Sequence, residues 1–344
     1  MAEKKGLVIS GGGARGAWAC GALRYLIKEQ GCRYHIVAGT STGSLIAPLA
    51  ALGDIDGLID NYTTITPQET LGSRFLGSRS ILVNAICALV GKKDSVFTTK
   101  PLHHAILTKH LTEQRWAELA QPSQAAEAWV STVDMQKAEV RYFGTKDPGM
   151  TREKFASAML ASCSIPFFMS RARIIGEPNW FVDGGVMDTV PIGQVIREGA
   201  REVTVITLGH EVLIHTRDYS TLPEVVLREI ELGLQETFDS DIAQGEMITR
   251  ELDWRARLKN RLRQYCRESD LDESFRLTSS EDEPLGSESG EFATVRFKIL
   301  APKTEIGPTM DFTPEVMKRY VEEGYAFARD PANWKCIPVP WKLT

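Results

Sequence analysis

Ile36-Val37-Ala38-Gly39-Thr40-Ser41-Thr42-Gly43-Ser44-Leu45-Ile46-Ala47 passes from an apolar triplet, through a glycine-bounded polar turn, into a second apolar stretch. The triplet reads as a buried strand, Gly39 to Gly43 as a sharp turn, and Ser44 to Leu52 as a helix that Pro48 bends near its start. Gly39-Thr40-Ser41-Thr42-Gly43 matches G-x-S-x-G, the nucleophile elbow, in which a strained strand-to-helix turn presents the serine at the edge of a sheet. Five residues of this kind also fit an ordinary glycine turn. The strand before them and the helix after them are what favour the elbow.

The same rhythm holds upstream. Gly6 to Ser10 is a short buried-strand candidate, followed by Gly11-Gly12-Gly13-Ala14-Arg15-Gly16 and by Cys20, Leu23, Leu26 and Ile27 at helical spacing, with Gly31 as the stop. Gly11, Gly13 and Gly16 fit the dinucleotide fingerprint G-x-G-x-x-G. That reading needs an acidic residue ~20 positions on to hold a ribose. No Asp or Glu occurs from Gln30 to Gly53, and the second strand ends in Gly-Thr-Ser-Thr-Gly instead. Read the other way, consecutive glycines at a helix start expose N–H groups to the oxyanion of a tetrahedral intermediate, an effect of a few kcal/mol per donor. Arg15 then serves either a lipid phosphate or a bracing carboxylate.

Downstream, Trp129 to Val133 and Glu139 to Phe143 read as two strands around a turn. Arg152 to Ser162 reads as a helix stopped by Pro166, Ile192 to Gly199 as a helix, and Val203 to Leu208 as a buried strand. Such alternation predicts an α/β fold with a mostly parallel central sheet sandwiched by helices. Residues 5–210 are expected to form the catalytic core, with 61–100 a lid-like insertion. Residues 211–291 are a charged helical segment (222–265) followed by an acidic loop, since Glu268 to Glu291 carries nine acidic residues and one basic one. Residues 292–330, a strand and a helix, return to complete the core.

At 344 residues, 43% hydrophobic and 25% charged with a net charge of −5, the chain is that of a globular protein with no bulk electrostatic pull toward nucleic acid. No signal-peptide pattern opens it, and its longest nearly uncharged apolar stretch, Ile81 to Val90, is about half of the ~20 residues that a spanning helix needs. A cytoplasmic protein, peripheral to membranes at most, is the expectation. Six scattered cysteines with no C-x-x-C spacing read as buried free thiols. No metal and no cofactor is expected.

A serine nucleophile needs a base. Of His35, His103, His104, His110, His210 and His215, only His210 stands where α/β sites gather, just past the strand 203–208. Asp183 is the other candidate. Trp180-Phe181-Val182 reads as a strand delivering it to Gly184-Gly185, although Asp-Gly is also a common turn.

Taken together, Gly-Gly-Gly-Ala-Arg-Gly at 11–16, Gly-Thr-Ser-Thr-Gly at 39–43 and Asp-Gly-Gly at 183–185 resemble the patatin-like phospholipases. So do Ala161-Ser162-Cys163-Ser164-Ile165-Pro166 and Pro191. The resemblance covers roughly residues 5–210 and, more faintly, 292–328. It implies a Ser41–Asp183 dyad without histidine. It also implies an oxyanion hole in the loop of Gly11, Gly12, Gly13, Arg15 and Gly16, with Gly39, Gly43, Gly184 and Gly185 supporting the two turns. One departure is Thr189, which stands where the family often has Asn.

The function implied is hydrolysis of lipid or phospholipid acyl esters through an acyl-Ser41. Acyl transfer, with His210 as discriminator, and a non-catalytic lipid-binding signalling role are the alternatives. Head group, chain length and oligomeric state are not legible. From Arg74 to Lys93, basic residues bracket apolar ones, so this segment reads either as a peripheral membrane contact or as a buried core helix.

Overall fold

The computed structural model describes residues 3–72, 97–121, 125–209 and 295–337, with a few isolated positions besides. The segment Arg74 to Lys93, His210, and nearly all of the charged stretch 211–291 lie outside the described residues.

Among the described residues, nine strands form one sheet. They are β1 (Lys4–Ile9), β2 (Ile36–Gly39), β3 (Glu127–Asp134), β4 (Glu139–Gly144), β5 (Ala172–Arg173), β6 (Trp180–Asp183), β7 (Ala200–Ile206), β8 (Arg296–Leu300) and β9 (Trp334–Ile337). The order is β5-β6-β3-β2-β1-β7-β8-β9, with β4 also on β3. The centre, β3-β2-β1-β7-β8, is parallel. The flanks close antiparallel, β4 and β6 on β3, β5 on β6, and β9 on β8.

The central strands are short continuous apolar runs because both of their faces are covered. Leu7, Ile9 and Val37 point into one cluster, while Val8, Ile36 and Ala38 point into the other. On the first face lie α1 (Gly16–Leu23), α2 (Thr42–Leu52) and α3 (Ile55–Thr64), then, after α4 (Pro67–Leu71), which packs on the next helix, α5 (Lys100–Ala105), α6 (Glu113–Leu119), α7 (Arg152–Ser162) and the later α9 (Pro314–Arg329); α8 (Ile192–Arg197) packs on the second. α2 begins two residues earlier than Ser44 and runs through Pro48. α3 carries Asn61 and Tyr62, where the insertion was expected to start, and both are buried.

Residues 295–337 are built into this frame. β8 extends the parallel sheet on β7, and α9 crosses α1 at two glycines. A Cβ on Gly21 would strike the Val321 carbonyl, and one on Gly324 the Trp18 carbonyl, so the two backbones touch. Arg24 then grips Glu322 through two hydrogen bonds of 2.9 and 3.0 Å. Among the described residues no helix is long and apolar enough to cross a membrane.

Candidate active site

Ser41 occupies the turn between β2 and α2 with φ 53° and ψ −122°, a conformation that costs a non-glycine residue about 1–3 kcal/mol. Hydrogen bonds tie the turn down on every side. Thr40 N–H donates to the Ile9 carbonyl of β1 at 3.2 Å, Gly43 N–H to Thr40 at 2.8 Å, and Ser44 N–H to Ser41 at 2.9 Å. The glycines serve close approach, since a Cβ on Gly39 would meet the Gly43 carbonyl and one on Gly43 the Ile9 carbonyl. The strained φ itself belongs to Ser41, not to its flanking glycines.

Strand register brings Asp183 to this serine. β4 holds one edge of β3 from Trp129 to Asp134, which overlaps the pairings of both β2 and β6, so those two must share the other edge. Gly39 of β2 pairs with Val130, and Asp183 of β6 with Thr132, two residues further along. Asp183 therefore arrives on the edge of β3 just where the chain after Gly39 turns away. The intervening Ser131 shares a hydrogen bond of 2.6 Å with the Thr40 hydroxyl. Asp183 Oδ1 accepts the Gly185 N–H at 2.8 Å. Its Oδ2 is buried without a well-aligned partner among the described residues, while the Ser41 hydroxyl stands close enough to favour the carboxylate. Burial dominates and pushes the carboxyl up to about 7, against the pull of Ser41 and the Gly185 N–H.

The glycine loop borders the same spot. A Cβ on Gly11 would lie 3.2 Å from that of Ser41, and Gly11 N–H donates to the Thr189 carbonyl at 3.3 Å. Gly13 has φ 58°, and a side chain there would run into Thr309, whose carbonyl accepts the Ala14 N–H at 2.7 Å. The N–H groups of Gly12 and Gly13 have no acceptor among the described residues. Gly16 and Gly184 are tight spots, facing Thr42 and Ser131. Arg15 is buried, with Nε donating to the Gly307 carbonyl at 2.7 Å and Nη2 to Glu305 at 3.0 Å. Of its two sequence readings the side chain occupies the bracing one. Thr189, which stands where the family often has Asn, donates from Oγ1 to the Gly185 carbonyl at 3.1 Å, while its own carbonyl accepts from Gly11 of the glycine loop.

The patatin-like phospholipase family model matches residues 7–196, more than half of the chain and all three motifs. This chain belongs to that family. Among its relatives, the cUMP-AMP-activated phospholipase of Escherichia coli is 26% identical over 305 residues, covering 76% of this chain and 89% of the relative. A patatin-like phospholipase domain-containing protein of Caenorhabditis elegans is 28% identical over 208 residues, 59% of this chain and 13% of the relative. Among solved structures, VipD from Legionella pneumophila covers 98% of this chain and 68% of its own at 14% identity and a TM-score of 0.45, too distant to decide anything here. As a patatin-like phospholipase the protein is a lipid acyl hydrolase.

Other buried polar groups of this patatin-like site were given no role by the sequence. Ser162 and Cys163 contact the Ser41 backbone, and Asp188, pushed by burial up to about 6, accepts the Tyr142 hydroxyl at 2.6 Å. The Asp188 carbonyl accepts from Thr40 at 3.0 Å. Their signal was proximity to a motif, which does not distinguish support from spacing. Among the described residues no histidine is bonded to Ser41 or Asp183. His110 is buried behind α2 against the Leu45 carbonyl, and His35 accepts the Lys5 N–H at the start of β2.

Proposed function

We propose that Ser41 and Asp183 form the catalytic dyad of this lipid acyl hydrolase. Asp183 takes the hydroxyl proton as Ser41 Oγ bonds to the ester carbonyl carbon. The tetrahedral oxyanion is held by the N–H groups of Gly12 and Gly13. Collapse breaks the ester C–O bond, and the alcohol leaves with the proton from Asp183. Water, deprotonated by Asp183, then adds to the acyl carbon; collapse breaks the C–Oγ bond, the fatty acid leaves, and Asp183 returns the proton to Ser41 Oγ. The observation that carries this reading is the shared edge of β3, which sets a strained, buried serine beside a buried carboxylate. A carboxyl that titrates near neutrality suits a base that must accept and return a proton at pH 7.

The substrate is proposed to be a phospholipid, met at the membrane surface through Arg74 to Lys93. Turnover of a short-chain soluble ester and of phospholipid vesicles tests both parts. Ser41→Ala should lose several orders of magnitude on both substrates, and Asp183→Asn nearly as much. Residual activity of Ser41→Ala within about tenfold of wild type would remove the serine from the mechanism. His210→Ala dead beside an active Asp183→Asn would point to the acyl-transferase type of base instead. The assays should be run with and without cUMP-AMP, because the E. coli relative is named for activation by it. Leu82→Asp with Leu89→Asp should impair vesicle binding and spare the soluble ester.

A further inference from the structure

α7 ends at Ser162, and the turn that follows reaches both members of the dyad. Ser162 Oγ accepts the Ser41 N–H at 2.9 Å. The Cys163 thiol donates to the Ser41 carbonyl at 3.2 Å and lies 3.6 Å from the Ser44 hydroxyl. The Ser164 carbonyl accepts the Asp183 N–H at 3.0 Å. Ser162 and Ser164 are wholly buried and Cys163 nearly so.

We propose that Ser162-Cys163-Ser164 is a positioning clamp that sets Ser41 against Asp183, with the Ser162 hydroxyl holding the nucleophile's strained backbone. The proposal rests on the dyad reading above.

The case is one of connectivity. A residue at φ 53° persists only where its surroundings over-determine it. The other bonds to the Ser41 carbonyl come from the Ser44 N–H and hydroxyl, both within α2, and cannot fix the elbow relative to β6. The 162–164 turn bonds to the elbow by two side chains and to β6 by a carbonyl. The turn is itself stiff. Cys163 N–H donates to Met159 and Leu160 at 3.2 Å, Ser164 N–H to Ala161 at 3.0 Å, and the Ser164 hydroxyl to Leu160 at 2.9 Å. Burial, and then the nearby Asp183 charge, drive the Cys163 thiol well above its usual range, so it keeps the proton that it donates.

Ser162→Thr and Ser162→Val test the clamp, because they match in shape and only threonine keeps an acceptor hydroxyl. Competent sites are counted by titration with a fluorophosphonate, and turnover of a soluble ester is expressed per titrated site. Ser162→Val should lower kcat per site about tenfold to a hundredfold, as small misplacements do, with KM within about twofold. Ser162→Thr should rescue it. Equal turnover per site in the two variants would overturn the clamp. So would a valine variant that loses sites while the surviving ones turn over normally, since that is a folding effect alone. If Ser162→Val does not fold, Cys163→Ala against Cys163→Ser makes the same comparison at the Ser41 carbonyl. There the serine variant should outpace the alanine one, and equality again overturns the proposal. Failure of the dyad itself is seen separately, as turnover surviving in Ser41→Ala.

Discussion

Asp183 is placed where its charge is penalised, and this has measurable consequences at two levels. Its carboxyl is raised from 3.8 to about 7, chiefly by burial. A base must be ionised, so kcat/KM on a soluble ester should rise with pH through a midpoint near 7 and then level off. A midpoint near the ordinary carboxylate range would show that burial does not raise this carboxyl, and an Asp183→Asn variant with wild-type turnover would show that Asp183 is not the base. Stability runs the opposite way. The folded state holds this proton more tightly than the unfolded chain, so the contribution is intact below about pH 4 and is lost as pH rises to about 7. Asp183→Asn should therefore unfold like wild type at pH 4. At pH 8 it should be more stable than wild type, by up to about 4 kcal/mol, read from urea melts at the two pH values. Asp183 was legible in the sequence as a candidate base only beside the other motifs, because the burial and strand pairing that set its surroundings leave no mark in Asp-Gly-Gly itself.

Among the elements, the packing of α9 on α1 separates glycines that matter from one that does not. A Cβ on Gly324 would enter the Trp18 carbonyl, and a backbone atom cannot move aside as a side-chain tip can. Gly193 in α8 has nothing within 4 Å of its would-be Cβ. Gly324→Ala should cost about 1–3 kcal/mol of unfolding free energy, whereas Gly193→Ala should be neutral or stabilise by up to about 1 kcal/mol. Equal melts would mean that α9 does not dock this closely. The core strands β1, β2 and β7 were legible because runs such as Leu7-Val8-Ile9 are buried on both faces and bounded by glycine. The edge strands were less so. β5 is two residues long, and β9 carries Lys335 and Cys336 in no clear alternation. Nor does any local signal say that Trp180-Phe181-Val182 pairs antiparallel with β3, the register that brings Asp183 towards Ser41.

Across the whole molecule, the loop proposed to hold the oxyanion is fastened by chain that lies 290 positions downstream. Thr309 accepts from Ala14, Gly307 and Glu305 accept from Arg15, and the same segment leads into α9, which packs on the helix that the loop begins. No local pattern could set Arg15 beside Glu305, because the partners are this remote. The two roles read for Arg15, phosphate and brace, differ in what a conservative change does. Lysine keeps the charge but cannot make both bonds of the guanidinium fork. If Arg15 braces, Arg15→Lys lets Gly12 and Gly13 drift. Turnover number should then fall about tenfold with KM within about twofold. The fall should be the same for a neutral short-chain ester and a phospholipid, and Glu305→Gln should cause a smaller loss in the same direction. If Arg15 instead grips a lipid phosphate, the substitution should raise KM for phospholipid alone and leave the neutral ester untouched. Kinetics of both substrates on the two variants decide between them, and a loss confined to phospholipid would refute the brace.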